Sequence, residues 1–128
     1  MACNLGGVIL LVDNDENLKI SNRGVLERQK FTVHTATTFA EARQQIAAAK
    51  PDIIIMETIL SDGDGYTFCR EIRDNTSAYI ILLAKAGAGD AVRGYKSGID
   101  VFIEKPLCQP ELLARVDTAM RRIKMGKC

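Results

Sequence analysis

Five short runs rich in apolar and β-branched residues punctuate the chain, at Val8 to Val12, Thr32 to Ala36, Ile53 to Met56, Ile80 to Leu83 and Val101 to Ile103. Each is followed by a segment with helical spacing. Ile53-Ile54-Ile55-Met56 and Ile80-Ile81-Leu82-Leu83 are apolar at every position. A strand with one solvated face alternates between apolar and polar, so these strands are covered on both faces, as in a parallel sheet between two layers of helices. The pattern predicts five βα units and an α/β fold.

Local signals fix the helices. Thr38-Phe39-Ala40-Glu41 reads as a capping box, with Thr38 accepting from an early backbone N–H and Glu41 reaching back. The second helix then runs to about Ala49, and Pro51 stops it. The last helix opens at Gln109 with Pro110 in its first turn, where a missing N–H costs nothing. It presents Leu112, Leu113, Val116, Met120 and Ile123 on one face, and its basic end, Arg121, Arg122, Lys124 and Lys127, reads as a solvated terminus favoured by the helix dipole.

A chain of 128 residues with 47% hydrophobic and 26% charged residues has the size and composition of one domain with its own core. Lys plus Arg number 17 against 16 Asp plus Glu, so no whole-chain field gathers nucleic acid or anionic membrane, and neither is expected as a partner. No apolar run approaches the roughly 18 to 20 residues that span a bilayer. Met1 to Gly7 lacks the pattern of a secretory signal, and the expected location is cytoplasmic. Cys3, Cys69, Cys108 and Cys128 form no C-x-x-C pair and find no zinc-site spacing with His34. Free thiols are expected, with Cys69 and Cys108 as packing residues.

Ligands of an open α/β sheet sit outside the carboxyl ends of the strands. The residues just after the apolar runs include Asp13 and Asn14, Glu57, Ala84 and Lys105. Two carboxylates and an ammonium converging there must pair or bind a cation to offset their desolvation. Asp15 and Glu16 read as charges complementing a helix N-terminus.

In order along the chain, Val8-Ile9-Leu10-Leu11-Val12-Asp13, Pro51-Asp52-Ile53-Ile54-Ile55-Met56-Glu57, Asp64-Gly65-Tyr66, Gly98-Ile99-Asp100-Val101-Phe102 and Lys105-Pro106 resemble the response regulator receiver domain of two-component signalling and phosphorelays. The resemblance spans essentially residues 1–128, read as one receiver-like domain, whether free-standing or N-terminal in a longer chain. It implies a single flavodoxin-like (βα)5 doubly wound domain with strand order 2-1-3-4-5. It also implies a cis bond at Lys105-Pro106. In that family an acidic pair after strand one and an Asp after strand three hold Mg²⁺, and the latter Asp takes a phosphoryl group. Phosphorylation is read out through a hydroxyl ending strand four and an aromatic on strand five.

Several of these positions differ here. The acidic pair is Asp13 with Asn14, the acceptor position carries Glu57, and the hydroxyl position falls on Leu83 or Ala84. Only Lys105 and the aromatic Phe102 are retained. An amide oxygen is a poorer ligand than a carboxylate for a hard, octahedral ion, so Asp13, Asn14 and Glu57 make a weak or lost Mg²⁺ site. The extra methylene of Glu57 displaces the attacking oxygen, and a misplacement of about 1 Å costs on the order of a hundredfold in rate. Glu57 is therefore expected either to hold a fixed ion pair with Lys105, mimicking the modified state, or merely to fill space.

The resulting expectation is a non-enzymatic pseudo-receiver that signals by protein contact independently of phosphate. Its partner would be a histidine kinase or a downstream output protein or domain, with a homodimer also open. The contact face implied by the family is helix four, strand five and helix five, including Tyr95 and Phe102. The alternative is an active Mg²⁺-dependent receiver modified on Glu57 or a nearby Asp such as Asp62. A nucleotide or flavin fold is disfavoured, since no G-x-G-x-x-G or P-loop follows the first strand and Gly6-Gly7 precedes it.

Overall fold

The computed structural model describes residues 6–127. Its elements alternate as the sequence predicts: β1 (Val8–Val12), α1 (Glu16–Arg28), β2 (Thr32–Ala36), α2 (Phe39–Ala49), β3 (Ile53–Glu57), α3 (Gly65–Ile72), β4 (Tyr79–Ala84), α4 (Ala91–Lys96), β5 (Val101–Glu104) and α5 (Gln109–Lys127). The five strands form one parallel sheet in the order β2-β1-β3-β4-β5. This is the doubly wound order expected for a flavodoxin-like (βα)5 domain. Absent from the sequence reading are a small antiparallel hairpin, Ile59–Leu60 with Gly63–Asp64, and a 3₁₀ turn, Arg73–Asn75.

Side chains alternate across the pleat, so each strand feeds both layers. Leu10, Val12, Ile54, Met56, Ile80 and Leu82 pack with Phe39 and Ala42 of α2 and with Tyr66, Phe68, Cys69 and Ile72 of α3. Ile9, Leu11, Ile53, Ile55, Ile81 and Leu83 pack with Leu26 of α1 and with Leu112, Val116, Ala119 and Met120 of α5. Leu113 and Ile123 of the predicted α5 face are only partly buried, at the margin of the second core.

Capping sets the helix starts. Asp15 caps α1 by accepting from Leu18 N at 3.0 Å. Thr38 caps α2, accepting from Glu41 N at 3.1 Å, while the Glu41 carboxylate reaches one residue further back than a capping box requires, to Thr37 N at 2.6 Å. Two glycines are dictated by close approach. Gly98, at φ +102°, lies where a Cβ would come within 2.7 Å of Arg73 Cδ, and a Cβ on Gly89 would overlap Phe102 Cζ.

Cys69 is a buried free thiol, and burial pushes its pKa up, in keeping with a packing role. The same expectation for Cys108 is corrected, because Cys108 is exposed. It sits just ahead of α5 with its carbonyl accepting from Leu112 N, so its backbone and not its thiol is used. Cys3 and Cys128 lie outside the described residues, as does the side chain of Lys127. In the rest of the basic end, Arg121 is exposed and pairs with Asp117 at 2.7 Å on its own helix.

Candidate functional site

The carboxyl ends of β1, β3 and β4 and the start of the β5–α5 loop bring Asp13, Glu57, Ala84 and Lys105 to one edge of the sheet. Asp13 follows β1 directly, and Glu57 is the last residue of β3. Both are buried, at 6% and 8% exposure. Lys105 N donates to Ala84 O at 2.7 Å, which extends the β4–β5 ladder by one bond and directs the lysine back over the sheet edge. The Lys105-Pro106 bond is cis.

Lys105 Nζ bridges the two acids, 3.0 Å from Asp13 Oδ2 and 2.5 Å from Glu57 Oε1. Burial disfavours its charge, yet the hydrogen bonds to Glu57 and Asp13, together with their negative charges, raise its pKa above the ordinary 10.5. The remaining oxygens are also engaged. Asp13 Oδ1 accepts from Asp15 N at 2.9 Å, and Glu57 Oε2 lies 3.1 Å from both Thr58 N and Thr58 Oγ1. Asn14, the third metal-ligand candidate, is exposed.

The residues that would hold Mg²⁺ here are Asp13, Asn14 and Glu57. An octahedral ion at about 2.0 to 2.1 Å needs carboxylate oxygens with free lone pairs aimed at one point. All four oxygens of Asp13 and Glu57 already face protein donors, and one lysine stands between the two acids. Among the described residues no group of three or more His, Cys, Asp or Glu side chains is arranged to hold a metal ion.

The hydroxyl position at the end of β4 is Ala84, fully buried, and Leu83 beside it is equally without a hydroxyl. The Phe102 ring lies close by. A Cβ on Gly89 would come 2.6 Å from Ala84 Cβ as well as overlapping the ring, so Gly89 lies close against both the ring and Ala84. Tyr95 of α4 is 53% exposed, and its hydroxyl accepts from Phe102 N at 3.2 Å. The Lys85-Ala86-Gly87-Ala88-Gly89 segment makes an ordinary turn, with Ala88 N donating to Lys85 O at 2.9 Å.

Asp62, the alternative acceptor, is elsewhere. Its two oxygens accept from Phe39 N and Ala40 N, each at 3.0 Å, across the N-terminus of α2, and these bonds hold its carboxyl below the ordinary range. Sequence reasoning also missed two participants near the site. Thr58 is buried behind Glu57, and Lys19 is a buried cation whose Nζ lies 2.6 Å from Thr37 Oγ1 and 3.0 Å from Glu16 Oε2. Thr58 carried a signal, being a hydroxyl placed next to the acceptor position, whereas nothing in the local pattern marks Lys19 as buried. A groove of about 740 Å³ opens at the opposite ends of the strands, between Arg43, Ile46 and Lys50 on one side and Glu71, Asn75 and Ser77 on the other. It shares no residue with the site.

A doubly wound parallel domain with an acid–lysine cluster at the carboxyl edge of its sheet defines a class of signalling domain. The sequence matches the family described as response regulator receiver domain over residues 9–117, and the chain belongs to that family. It is 32% identical over 119 residues to the response regulator MprA of Mycobacterium ulcerans, covering 91% of this chain and 51% of that protein. The crystal structure of a two-component response regulator from Clostridium difficile superimposes with a TM-score of 0.85 at 34% identity, covering 91% of this chain and 98% of that one. The beryllofluoride-activated NtrC4 receiver domain dimer, solved in solution, gives a TM-score of 0.81 at 28% identity, covering 90% and 97%. The chain spans about half the length of the curated relatives it matches. No described helix is long and apolar enough to cross a membrane.

Proposed function

We propose that this receiver domain is a pseudo-receiver, a two-component signalling module that acts through protein contact and does not depend on taking up a phosphoryl group. The observation that carries the reading is the closed set of partners around Asp13 and Glu57. Lys105 Nζ touches both acids, and the oxygens it leaves are held by Asp15 N and by Thr58. Phosphoryl transfer to a carboxylate is mostly a matter of positioning plus stabilisation of charge. Here the nucleophile is turned toward protein donors, the metal ligands are incomplete, and the hydroxyl at Ala84 is missing. Mg²⁺ binding is accordingly weak or absent in this proposal.

The reading extends to the signalling face. With Ala84 in place of a hydroxyl residue and Gly89 without a side chain, the Phe102 ring packs beside both in the unmodified chain. A ligand shifts an equilibrium only through its difference in affinity for two states, and a silent acceptor supplies no such difference. The face formed by α4, β5 and α5 would then be presented constantly. Val92 and Tyr95, at 65% and 53% exposure, stand on it one helical turn apart. A histidine kinase or an output protein or domain is the proposed partner, the cytoplasm is the proposed location, and a homodimer through this face is a further form it could take.

Intact-mass measurement after incubation with acetyl phosphate, with and without Mg²⁺, tests the reading on the native chain and on Glu57→Asp. No mass gain is expected on the native chain. A Mg²⁺-dependent gain of one phosphoryl group there would establish an active receiver using Glu57 or a neighbour, and the pseudo-receiver reading would be lost.

A further inference from the structure

We infer that Thr58 is a positioning residue for the Glu57 carboxylate, supplying from the residue after β3 the hydroxyl that β4 lacks at Ala84. The inference deepens the proposed function, since it concerns how the unmodified site is held. Thr58 is 4% exposed, and its Oγ1 lies 3.1 Å from Glu57 Oε2 and 3.1 Å from Leu83 O. Leu83 is the residue before Ala84, so the hydroxyl stands between the acceptor position and the end of β4.

Proton counting decides what the hydroxyl does. Thr58 has two donors, its N–H and its O–H, and two acceptors within reach, Leu83 O and Glu57 Oε2. The N–H is closer to the carbonyl, at 2.9 Å, than to the carboxylate, at 3.1 Å. It also continues the β3–β4 ladder, in which Glu57 pairs with Leu83. With Leu83 O served by the N–H, the hydroxyl proton goes to the charged oxygen, where a hydrogen bond is stronger than to a neutral one. All four groups are then satisfied.

The extra methylene of Glu57 is part of the device. It gives the carboxylate the reach to turn one oxygen back onto the residue that follows it while the other meets Lys105 at 2.5 Å. The carboxylate becomes a brace between the Lys105 ammonium and the Thr58 hydroxyl, and through Thr58 it is tied to the strand end from which the Lys85–Gly89 turn departs. Glutamate at position 57 and threonine at position 58 therefore act as a pair.

Thr58→Val keeps the shape and removes the hydroxyl, while Thr58→Ser keeps the hydroxyl and removes the methyl. NMR of the isotope-labelled chain at fixed neutral pH reads the Glu57 side-chain carboxyl carbon. The expected result is a displaced Glu57 resonance in Thr58→Val and a native-like one in Thr58→Ser. A native Glu57 resonance in Thr58→Val, or equal disturbance in Thr58→Ser, would overturn the assignment in favour of plain packing. Should Thr58→Val not fold, Thr58→Ala against Thr58→Ser makes the same comparison with a milder change. Acetyl phosphate treatment of the same native sample reports separately on the pseudo-receiver reading, so either idea can fail alone.

Discussion

Lys105 carries more of the site than any other single side chain. Among the described residues it holds the only positive charge in contact with Asp13 and Glu57, and both acids are buried. Replacing it by methionine keeps the stem and leaves two carboxylates facing one another. We expect Lys105→Met to lose on the order of 2–4 kcal/mol of stability at neutral pH, measured by denaturant unfolding, because removing one partner strands a buried charge. The pH dependence has a definite sign. The folded-state pKa of Lys105 is raised above 10.5, so its contribution is complete below that value and is lost as pH rises through the folded pKa. The stability difference between native and Lys105→Met chains should therefore shrink at strongly alkaline pH. A gap that stays constant there would show that packing of the stem, and not its charge, is what the variant removes.

The position of Lys105 was legible in the sequence, as were Asp13, Glu57 and Ala84, because each lies within two residues of the end of a continuous apolar run. Thr58 and Asp62 were harder to place. Their partners, Leu83 O and Phe39 N, are 25 and 23 residues away along the chain. No local pattern announces a contact made by the tertiary fold. Cys108 misled for a related reason. Cysteine is buried on average, and only the fold reveals that this one lies in the exposed loop before α5.

Among the elements, the hairpin after β3 joins parts that the strand pattern treats as separate. Asp62 at its turn binds the N-terminus of α2, and Asp64 at its end caps α3, accepting from Thr67 N at 2.8 Å. Asp64 also lies 3.6 Å from Arg93 of α4, whose guanidinium stacks over the Tyr66 ring at 4.5 Å. The hairpin escapes a sequence reading because two-residue strands carry no periodicity. Asp62→Asn removes a negative charge from a helix N-terminus and replaces one of the two accepting oxygens by an amide nitrogen that cannot accept. Since backbone hydrogen bonding lowers the Asp62 pKa below 3.8, its contribution is present above that value and fades as pH falls through the lower folded value. A lower thermal midpoint for Asp62→Asn at pH 7, with the gap to the native chain closing in acid, is the expected pattern in calorimetry. Equal midpoints at pH 7 would show that the hairpin is held by its other contacts.

Across the whole molecule, the sheet divides the core into two layers that share no side chain, and their coupling runs through the strands. Ile54 at the centre of β3 is fully buried and pairs with Leu10 and Ile80 on its flanks. Ile54→Ala should cost about 2–5 kcal/mol in urea unfolding, the range for a large-to-small change in a packed interior. A loss below about 1 kcal/mol would mean that α2 and α3 collapse onto the gap. This central part of the architecture was the most legible, since strands covered on both faces leave an uninterrupted apolar record.

The bridge from Lys105 to Asp13 spans 92 residues and bears on the order of assembly. Pairing of β1 with β3 sets Asp13 and Glu57 side by side before the last strand has a place to go, so the nascent half-sheet carries a repulsion at its rim. Docking of β5 delivers the cation that relieves it. Completion of the charge cluster is thus coupled to closure of the chain, and a fragment ending before β5 would have to splay its two acids apart to keep the same sheet.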